Sequence, residues 1–148
     1  AYQPGRLEAI ARTAGKVVAR HAIETTGEAK RLVLASDRSL PGKQQDMSTA
    51  WHADGMDLLH VQVSAIDGKG RLVQTTDKEV TFSVSGDARI VGVVNGDINS
   101  NEMTVGDKRR LYNGRCTVIL RAGRTPGPVT LVATASGMKP VVLKTSTK

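Results

Sequence analysis

From residue 57 onward, apolar and polar residues alternate along one short segment after another. In DLLHVQVSAI, residues 57–66, the side chains of Leu59, Val61 and Val63 fall on one face of an extended chain. The same period of two recurs in EVTFSVS (79–85) and VTLVATA (129–135), with turn-forming residues between the segments. The alternation predicts a sandwich or barrel of short β-strands.

The number of such segments narrows the choice of fold. Six of them have the pattern of strands, at residues 57–66, 80–84, 90–94, 115–120, 129–135 and 141–143. A seventh strand is predicted around Met103 to Val105. This count and spacing are typical of an immunoglobulin-like β-sandwich. The segment IVGVV (90–94) is apolar on both faces, which predicts either burial on both sides or a β-bulge at Gly92.

Alternation also predicts the core. We expect one set of side chains to be buried, namely Val80, Phe82, Cys116, Val118 and Leu131. Cys116 is the only cysteine, so the chain can form neither an internal disulfide nor a thiolate metal cluster. Because it shares a strand face with Val118 and Leu120, it is predicted to be a small core residue and not a nucleophile.

Residues 1–56 leave two structures open. In LEAIARTAGKVVAR (7–20), the apolar residues nearly satisfy a helical stripe. The same residues also fit a hairpin that turns at Ala14-Gly15, followed by a third strand at RLVLA (31–35). The polar stretch after it contains Pro41-Gly42 and is predicted to be a linker.

The charge of the chain raises the question of nucleic acid. There are 21 Lys and Arg residues against 14 Asp and Glu residues, for a net charge of +7. The basic residues are scattered, however, and aromatic residues that could stack on bases number only four. We therefore expect no nucleic-acid partner.

No apolar run approaches the roughly 20 residues that a membrane-spanning helix needs. The segment AYQPGRLEAIAR also lacks the basic stretch and apolar core of a secretory signal. We expect no membrane partner.

The polar segment GVVNGDINSNE (92–102) is the first candidate site. It places oxygen-bearing side chains at alternating positions, which imitates the start of a calcium-binding loop. A calcium loop, however, needs glycine at its sixth position and glutamate at its twelfth, where this chain has Glu102 and Lys108. We therefore predict no metal and no cofactor, and a turn at Asn95-Gly96-Asp97. The alternative is a loop that contacts sugar hydroxyls through Asn95, Asp97 and Asn99.

Trp51 is the second candidate, because an indole ring can stack on the apolar face of a sugar. A sugar-binding platform usually combines several aromatic residues, and none cluster in this sequence. Packing of Trp51 where the linker enters the second domain is the favoured interpretation. The histidines are too dispersed to form a zinc site.

Several segments resemble the C-terminal domains of glycoside hydrolase family 2 enzymes, β-galactosidases of Bacteroidetes among them. YQPGRLEA (2–9), AGKVVA (14–19), IETTG (23–27) and LVLASDR (32–38) resemble the closing strands of the immunoglobulin-like domain after the catalytic barrel. ADGMDL (53–58), EVTFSVS, GVVNGD (92–97) and YNGRC (112–116) resemble an additional C-terminal domain. The resemblance covers nearly the whole chain and favours strands over a helix for residues 7–35.

The resemblance implies a domain organisation and a role. Residues 1–38 would be the incomplete end of one immunoglobulin-like domain, 39–52 a linker and 53–148 a complete second domain. Family 2 hydrolysis resembles the retaining scheme, with two glutamates on a (β/α)8 barrel of about 250 residues, which this chain cannot contain. None of its own glutamates matches a catalytic motif: Glu8, Glu24, Glu28, Glu79 and Glu102.

The chain is therefore predicted to be a non-catalytic, structural accessory region of a β-galactosidase-like enzyme, with the catalytic barrel and other domains of that enzyme as partners. The alternatives are a carbohydrate-binding module and a bacterial surface adhesion module. Exposure of Trp51 and Tyr112 on one face would favour the binding module. The resemblance implies a periplasmic or secreted parent. Because residues 1–35 would lack the sheet they normally pack against, pairing of two copies through this segment is also predicted.

Overall fold

The computed structural model describes residues 3–37 and 51–148, which form ten β-strands. In chain order these are β1 (Arg6–Thr13), β2 (Lys16–Glu24), β3 (Arg31–Ser36), β4 (Leu58–Ile66), β5 (Glu79–Ser85), β6 (Ala88–Val94), β7 (Lys108–Arg110), β8 (Arg115–Ala122), β9 (Gly127–Ala135) and β10 (Val141–Thr147). Eight of them form a sandwich, and β1 and β2 form a separate hairpin.

The sandwich has the strand order of an immunoglobulin fold. One four-stranded sheet has the order β3-β4-β8-β6 and the other the order β10-β9-β5-β7. With β3 as strand A, these orders correspond to the ABED and GFC sheets of a constant-type immunoglobulin domain, and β7 extends the second sheet beyond strand C. The prediction of an all-β immunoglobulin-like sandwich is confirmed.

The core is formed by the apolar faces that alternation predicted. Val80, Phe82, Cys116, Val118 and Leu131 are all at most 2% exposed. On β4 the inward positions Leu59, Val61, Val63 and Ala65 are equally buried. Residues between them, such as Thr81 and Ser83 on β5, are more exposed. Strands β4, β5, β8 and β9 therefore each contribute one apolar face to the space between the sheets.

The position of β3 differs from the predicted domain boundary at residue 38. This strand pairs antiparallel with β4 along its full length, from Arg31 opposite Ile66 to Ser36 opposite Val61. Leu32 is 3% exposed and belongs to the core of the sandwich. The sandwich needs this strand because β4 would otherwise have an unpaired edge over an apolar interior. The assignment of residues 31–36 to the preceding domain is thus corrected.

Residues 6–24 form a hairpin. The resemblance implied strands here, and the alternative of a helix is wrong. β1 and β2 pair antiparallel from Arg6 opposite Glu24 to Thr13 opposite Lys16. Between them Ala14 and Gly15 have φ values of +46° and +78°, and positive φ at both central residues marks the type I′ turn that suits a two-residue hairpin. Every residue of both strands is exposed. The assignment of residues 6–24 to a preceding domain stays a prediction.

Two further details concern the strands around the polar loop. The register between β6 and β8 shifts between Ile90 and Gly92, so the bulge predicted at Gly92 is present. No strand forms at residues 103–105; the short strand β7 begins at Lys108 and pairs with β5. The apolar side chains of Met103 and Val105 are 78% and 71% exposed, and alternation without burial does not specify a strand.

Most of the predicted linker, residues 39–52, lies outside the described residues. Its last part, Trp51, forms a parallel bridge with Thr147 at the end of β10. Over residues 3–37 and 51–148, no helix is long and apolar enough to cross a membrane.

Candidate functional site

The polar loop that follows β6 is folded on itself through its own side chains. Gly96 has a φ of +79°, and the Asn95 side-chain oxygen accepts a hydrogen bond from the backbone N–H of Asp97 at 3.1 Å. The Asp97 carboxylate in turn accepts one from the N–H of Asn99 at 3.0 Å. These are the local side-chain-to-backbone bonds of Asx turns. The predicted turn at Asn95-Gly96-Asp97 is present.

Arg109 on β7 anchors this loop through hydrogen bonds. Its side chain is 4% exposed, and its two terminal nitrogens donate to the Asn95 side-chain oxygen at 2.7 Å and the Glu102 carbonyl at 3.0 Å. Its Nε lies 3.6 Å from the Glu102 carboxylate, within ion-pair range but without a hydrogen bond. The Asn95 amide nitrogen also donates to the carbonyl of Arg110. Both ends of the Asn95 side chain are therefore used inside the fold.

This arrangement bears on the residues proposed to contact sugars. Asn95 has its hydrogen-bonding groups occupied by Arg109, Arg110 and Asp97. Asn99 is exposed and Asp97 is half-buried. Glu102 is ion-paired with Arg109 and lies 3.9 Å from Arg110. Within residues 3–37 and 51–148, no group of three or more His, Cys, Asp and Glu side chains could hold a metal ion.

The aromatic residues do not form a sugar-stacking platform. Trp51 is 2% exposed and belongs to the core, where its indole N–H donates to the carbonyl of Asp57 at 3.2 Å. Tyr112 is 41% exposed, and Phe82 is buried. A buried indole offers no face to a ligand, so the favoured packing interpretation of Trp51 is confirmed and the candidate glycan contact there is wrong. An aromatic binding module would be favoured if Trp51 and Tyr112 were both exposed on one face. Trp51 is buried, so this condition is not met.

A second polar cluster, which the sequence pattern does not reveal, joins the hairpin to the sandwich. The Asp67 side chain, 2% exposed, follows β4 and accepts hydrogen bonds from the backbone N–H groups of Gly27, Lys69 and Arg71 at 3.1, 2.9 and 2.9 Å. The Arg71 guanidinium donates to the same carboxylate at 2.9 and 2.7 Å. We call Glu24, Gly27, Asp67 and Arg71 the joint.

The joint connects the hairpin to the sandwich. Gly27 lies in the connection between β2 and β3, and Arg71 also donates to the carboxylate of Glu24, the last residue of β2, at 2.7 Å. The Arg71 guanidinium, followed by the backbone N–H groups, lowers the pKa of the Asp67 carboxyl far below its ordinary value. The same pairing raises the pKa of Arg71. In the sequence, only the turn Asp67-Gly68-Lys69-Gly70 is recognisable. The distant residues that Asp67 and Arg71 bind become apparent only in the folded structure.

Cys116 does not contribute to any site. Burial raises the pKa of its thiol to about 12, because the thiolate would be poorly solvated between the sheets. A thiol with this pKa is protonated at neutral pH and is a poor nucleophile. The prediction of a buried core residue is confirmed.

The strand order defines the class of protein as an immunoglobulin-like β-sandwich module. Residues 44–144 match the family described as glycoside hydrolase family 2 C-terminal domain 5, and the chain belongs to this family. The resemblance noted in the sequence is thereby confirmed.

Individual relatives agree with this assignment. The beta-galactosidase BoGH2A of Bacteroides ovatus is 38% identical over 145 residues, which are 98% of this chain and 16% of that protein. A beta-galactosidase of Thermoanaerobacter pseudethanolicus is 28% identical over 127 residues, 86% of this chain and 14% of that protein. The chain thus spans about a sixth of the length of the curated relatives it matches.

Solved structures show the same fold over nearly the whole chain. A glycosyl hydrolase family 2 member from Bacteroides cellulosilyticus superposes with a TM-score of 0.88 and 28% identity, covering 99% of this chain and 18% of that one. A beta-glucuronidase of glycoside hydrolase family 2 gives a TM-score of 0.79 and 28% identity, covering 100% of this chain and 14% of that one. The hairpin and the sandwich are therefore both shared with these enzymes.

Proposed function

We propose that this chain is the non-catalytic C-terminal region of a β-galactosidase-like family 2 glycoside hydrolase, and that it gives structural support to the domains that precede it. Family membership and the names of the relatives support the parent's activity. The chain covers only a small part of each relative, and a (β/α)8 catalytic barrel of about 250 residues is longer than the chain itself.

The joint is the observation that carries the supporting role. A carbohydrate-binding module on a flexible tether would need no fixed orientation to the rest of its enzyme. Here a buried carboxylate at Asp67 binds the chain that leaves the hairpin, and Arg71 binds the end of β2. The backbone of Thr25 also donates to Gly5 across the hairpin base at 2.9 Å. These contacts favour a sandwich held at a set angle to the preceding domain.

The state of the glutamates also supports a non-catalytic role. A retaining pair places two carboxylates about 5 Å apart on either side of the bond to be cleaved. In this chain Glu8, Glu24 and Glu28 each lie against a basic side chain, with distances of 3.4, 2.7 and 3.3 Å to Arg6, Arg71 and Lys30. Glu102 is likewise paired with Arg109. These four carboxylates are therefore engaged with basic side chains of the fold.

Two measurements test the proposal. The purified chain is assayed with chromogenic galactosides, glucuronides and mannosides, and no turnover is expected. In the full-length parent enzyme, residues 26–148 are deleted; we expect the melting temperature of the remaining domains to fall while kcat/KM at low temperature stays within about twofold.

The opposite results would contradict it. Turnover by the isolated chain that survives repurification would show that it carries a catalytic site. A large fall of kcat/KM in the truncated parent without any change of melting temperature would show that the region contributes to substrate turnover and does not act as a support.

A further inference from the structure

A cleft at one end of the β3-β4-β8-β6 sheet is lined by three arginines. Its volume is about 460 Å3, and its walls come from residues 55–56, 87–89 and 121–124. Arg89 on β6 lies directly opposite Arg121 on β8. Arg124 lies in the turn after β8, with its side chain packed against Gly55.

The placement of Arg89 and Arg121 is unfavourable unless something compensates for it. Like charges at directly opposed positions of an antiparallel pair destabilise the sheet. In the described part of the chain, no carboxylate lies within ion-pair distance of Arg89, Arg121 or Arg124. By contrast, Arg6, Arg20 and Arg109 each have a glutamate within ion-pair distance.

The acidic residues around the cleft are occupied by backbone groups. Asp54 accepts from the N–H groups of Met56 and Asp57, both at 2.7 Å, and these bonds lower the pKa of its carboxyl. Asp87 lines the cleft and accepts from the N–H of Thr125 at 2.7 Å, which likewise lowers its pKa. Asp57 accepts from the N–H of His52. These carboxylates therefore shape the walls, and the cleft keeps an excess of positive charge.

The walls are connected directly to one another. Backbone hydrogen bonds run from Gly55 to Gly123 at 2.9 Å, from Ala122 to Asp57 at 3.0 Å and from Gly123 to Asp87 at 2.7 Å. All three chain segments that line the cleft, two of which carry the arginines, are thus tied into one framework. A preorganised site binds an anion without the cost of ordering its backbone.

We propose that this cleft binds an anionic group of a glycan, a carboxylate or a sulfate carried on a sugar ring. Guanidinium groups bind both anions through paired N–H donors. Beside them, Met56 is 70% exposed and Leu58, the other neighbour of Arg121, is 38% exposed. An apolar surface next to the charges suits the C–H face of a sugar ring, which an inorganic anion lacks. The inference rests on the cleft and on family membership, and does not require the supporting role proposed above.

The test compares the chain with a double variant and a matched control. Arg89→Gln/Arg121→Gln removes two charges from the cleft. Arg31→Gln/Arg115→Gln removes two charges from the other end of the same sheet, where Arg31 lies opposite Ile66 and Arg115 opposite Ser64. Binding of polygalacturonate, a sulfated galactan, a neutral galactan, polyglutamate and inorganic sulfate is measured by titration calorimetry at two salt concentrations.

We expect at least one of the two anionic glycans to bind, and to bind more weakly at high salt. The cleft variant should lose about tenfold or more in affinity, as for the loss of a charge-assisted hydrogen bond. The control variant should bind within about twofold of the natural chain. Polygalacturonate alone would identify a carboxylate site, and the sulfated galactan alone a sulfate site. Neutral galactan should not bind.

Several results would overturn the proposal. These are absence of binding to both anionic glycans, equal losses in the cleft and control variants, equal affinity for polyglutamate, or equally tight binding of inorganic sulfate. Loss of the fold is not expected in the cleft variant, because removing opposed like charges should leave its melting temperature unchanged or raise it. Should it misfold, Arg124→Gln provides a second variant in an exposed turn with the same expected loss of binding.

Discussion

Phe82 is the single phenylalanine of the chain and lies in the centre of the sandwich, 2% exposed. Replacing it with alanine should lower the free energy of unfolding by roughly 3 to 5 kcal/mol, through lost transfer free energy and the cavity left behind. Thr81→Ala should cost much less, since Thr81 is on the opposite, half-buried face, and it is its backbone carbonyl that accepts from the Thr134 hydroxyl. Urea denaturation of both variants measures the difference, and equal losses would mean that the faces of β5 are assigned wrongly.

Arg109 supports the polar loop through a planar set of donors that lysine cannot reproduce. An Arg109→Lys variant keeps the charge but cannot reach both the Asn95 side chain and the Glu102 carbonyl. We expect a loss of about 1 to 3 kcal/mol in the free energy of unfolding and faster amide exchange at residues 95–102. Arg110→Lys is the control, because Arg110 is exposed and lies 3.9 Å from Glu102. A loop that exchanges no faster in the Arg109 variant would contradict this anchoring role.

At the scale of elements, the joint should set the orientation of the hairpin. In Asp67→Asn an amide replaces a carboxylate that accepts five hydrogen bonds, three of them from backbone N–H groups. We expect faster amide exchange at Gly27, Lys69 and Arg71, and a broader distribution of spin-label distances between the hairpin turn and the sandwich. Asp77→Asn removes the same charge at an exposed position and should change neither. An unchanged distance distribution in Asp67→Asn would show that the joint does not hold the hairpin.

The same joint predicts a pH dependence. The pKa of Asp67 is lowered in the folded chain, so its carboxylate contributes stability above its unfolded pKa of about 3.9. That contribution is lost as the pH falls through the lower, folded pKa. The stability difference between the natural chain and Asp67→Asn should therefore be constant from about pH 5 to 8 and shrink below about pH 4. A difference that changes between pH 5 and 8 would point to another titrating group.

Strand β3 was predicted correctly as a strand, but the domain to which it belongs was predicted wrongly. The run RLVLA identifies an extended apolar segment, and the structure has a strand there. The polar residues that follow it favoured a domain boundary after the strand. In the structure β3 pairs with β4, which lies more than twenty residues further along the chain. Strand pairing is a non-local property, so the spacing of turn residues does not reveal it.

At the scale of the whole molecule, the hairpin presents apolar side chains with no sheet to cover them. Leu7, Val18 and Ile23 are 70%, 62% and 57% exposed, and a two-stranded hairpin is at best marginally stable in water. Two isolated chains should therefore pair through residues 1–35, mainly through β1 and β2. If residues 6–24 belong to a preceding immunoglobulin-like domain, as the resemblance predicts, the remaining strands of that domain would cover these side chains.

Sedimentation of the full chain against a chain that begins at Thr26 tests the pairing. The shorter chain keeps β3 and Gly27, so the sandwich and its Asp67 contact remain. A longer truncation, to a chain that begins at Ser48, would also remove Leu32 from the core of the sandwich. A change in its association could then result from a disturbed fold, so it is not a fair control. We expect a dimer for the full chain and a monomer for the shorter one. A monomeric full chain at high concentration would refute the pairing.

The sequence by itself determined the sandwich, the inward faces of its strands and the polar loop, whereas for residues 7–35 its pattern fitted a helix as well as a hairpin and only the family resemblance favoured strands. These features depend on local chemistry: a period of two that reveals a buried face, and Gly or Asn where positive φ is needed. Tertiary structure alone decided that β3 belongs to the sandwich, that Asp67 and Arg71 hold Glu24 and Gly27, and that Arg89 faces Arg121. Each of these is a contact between residues distant in the chain, and such contacts depend on strand order and register, which no local pattern encodes.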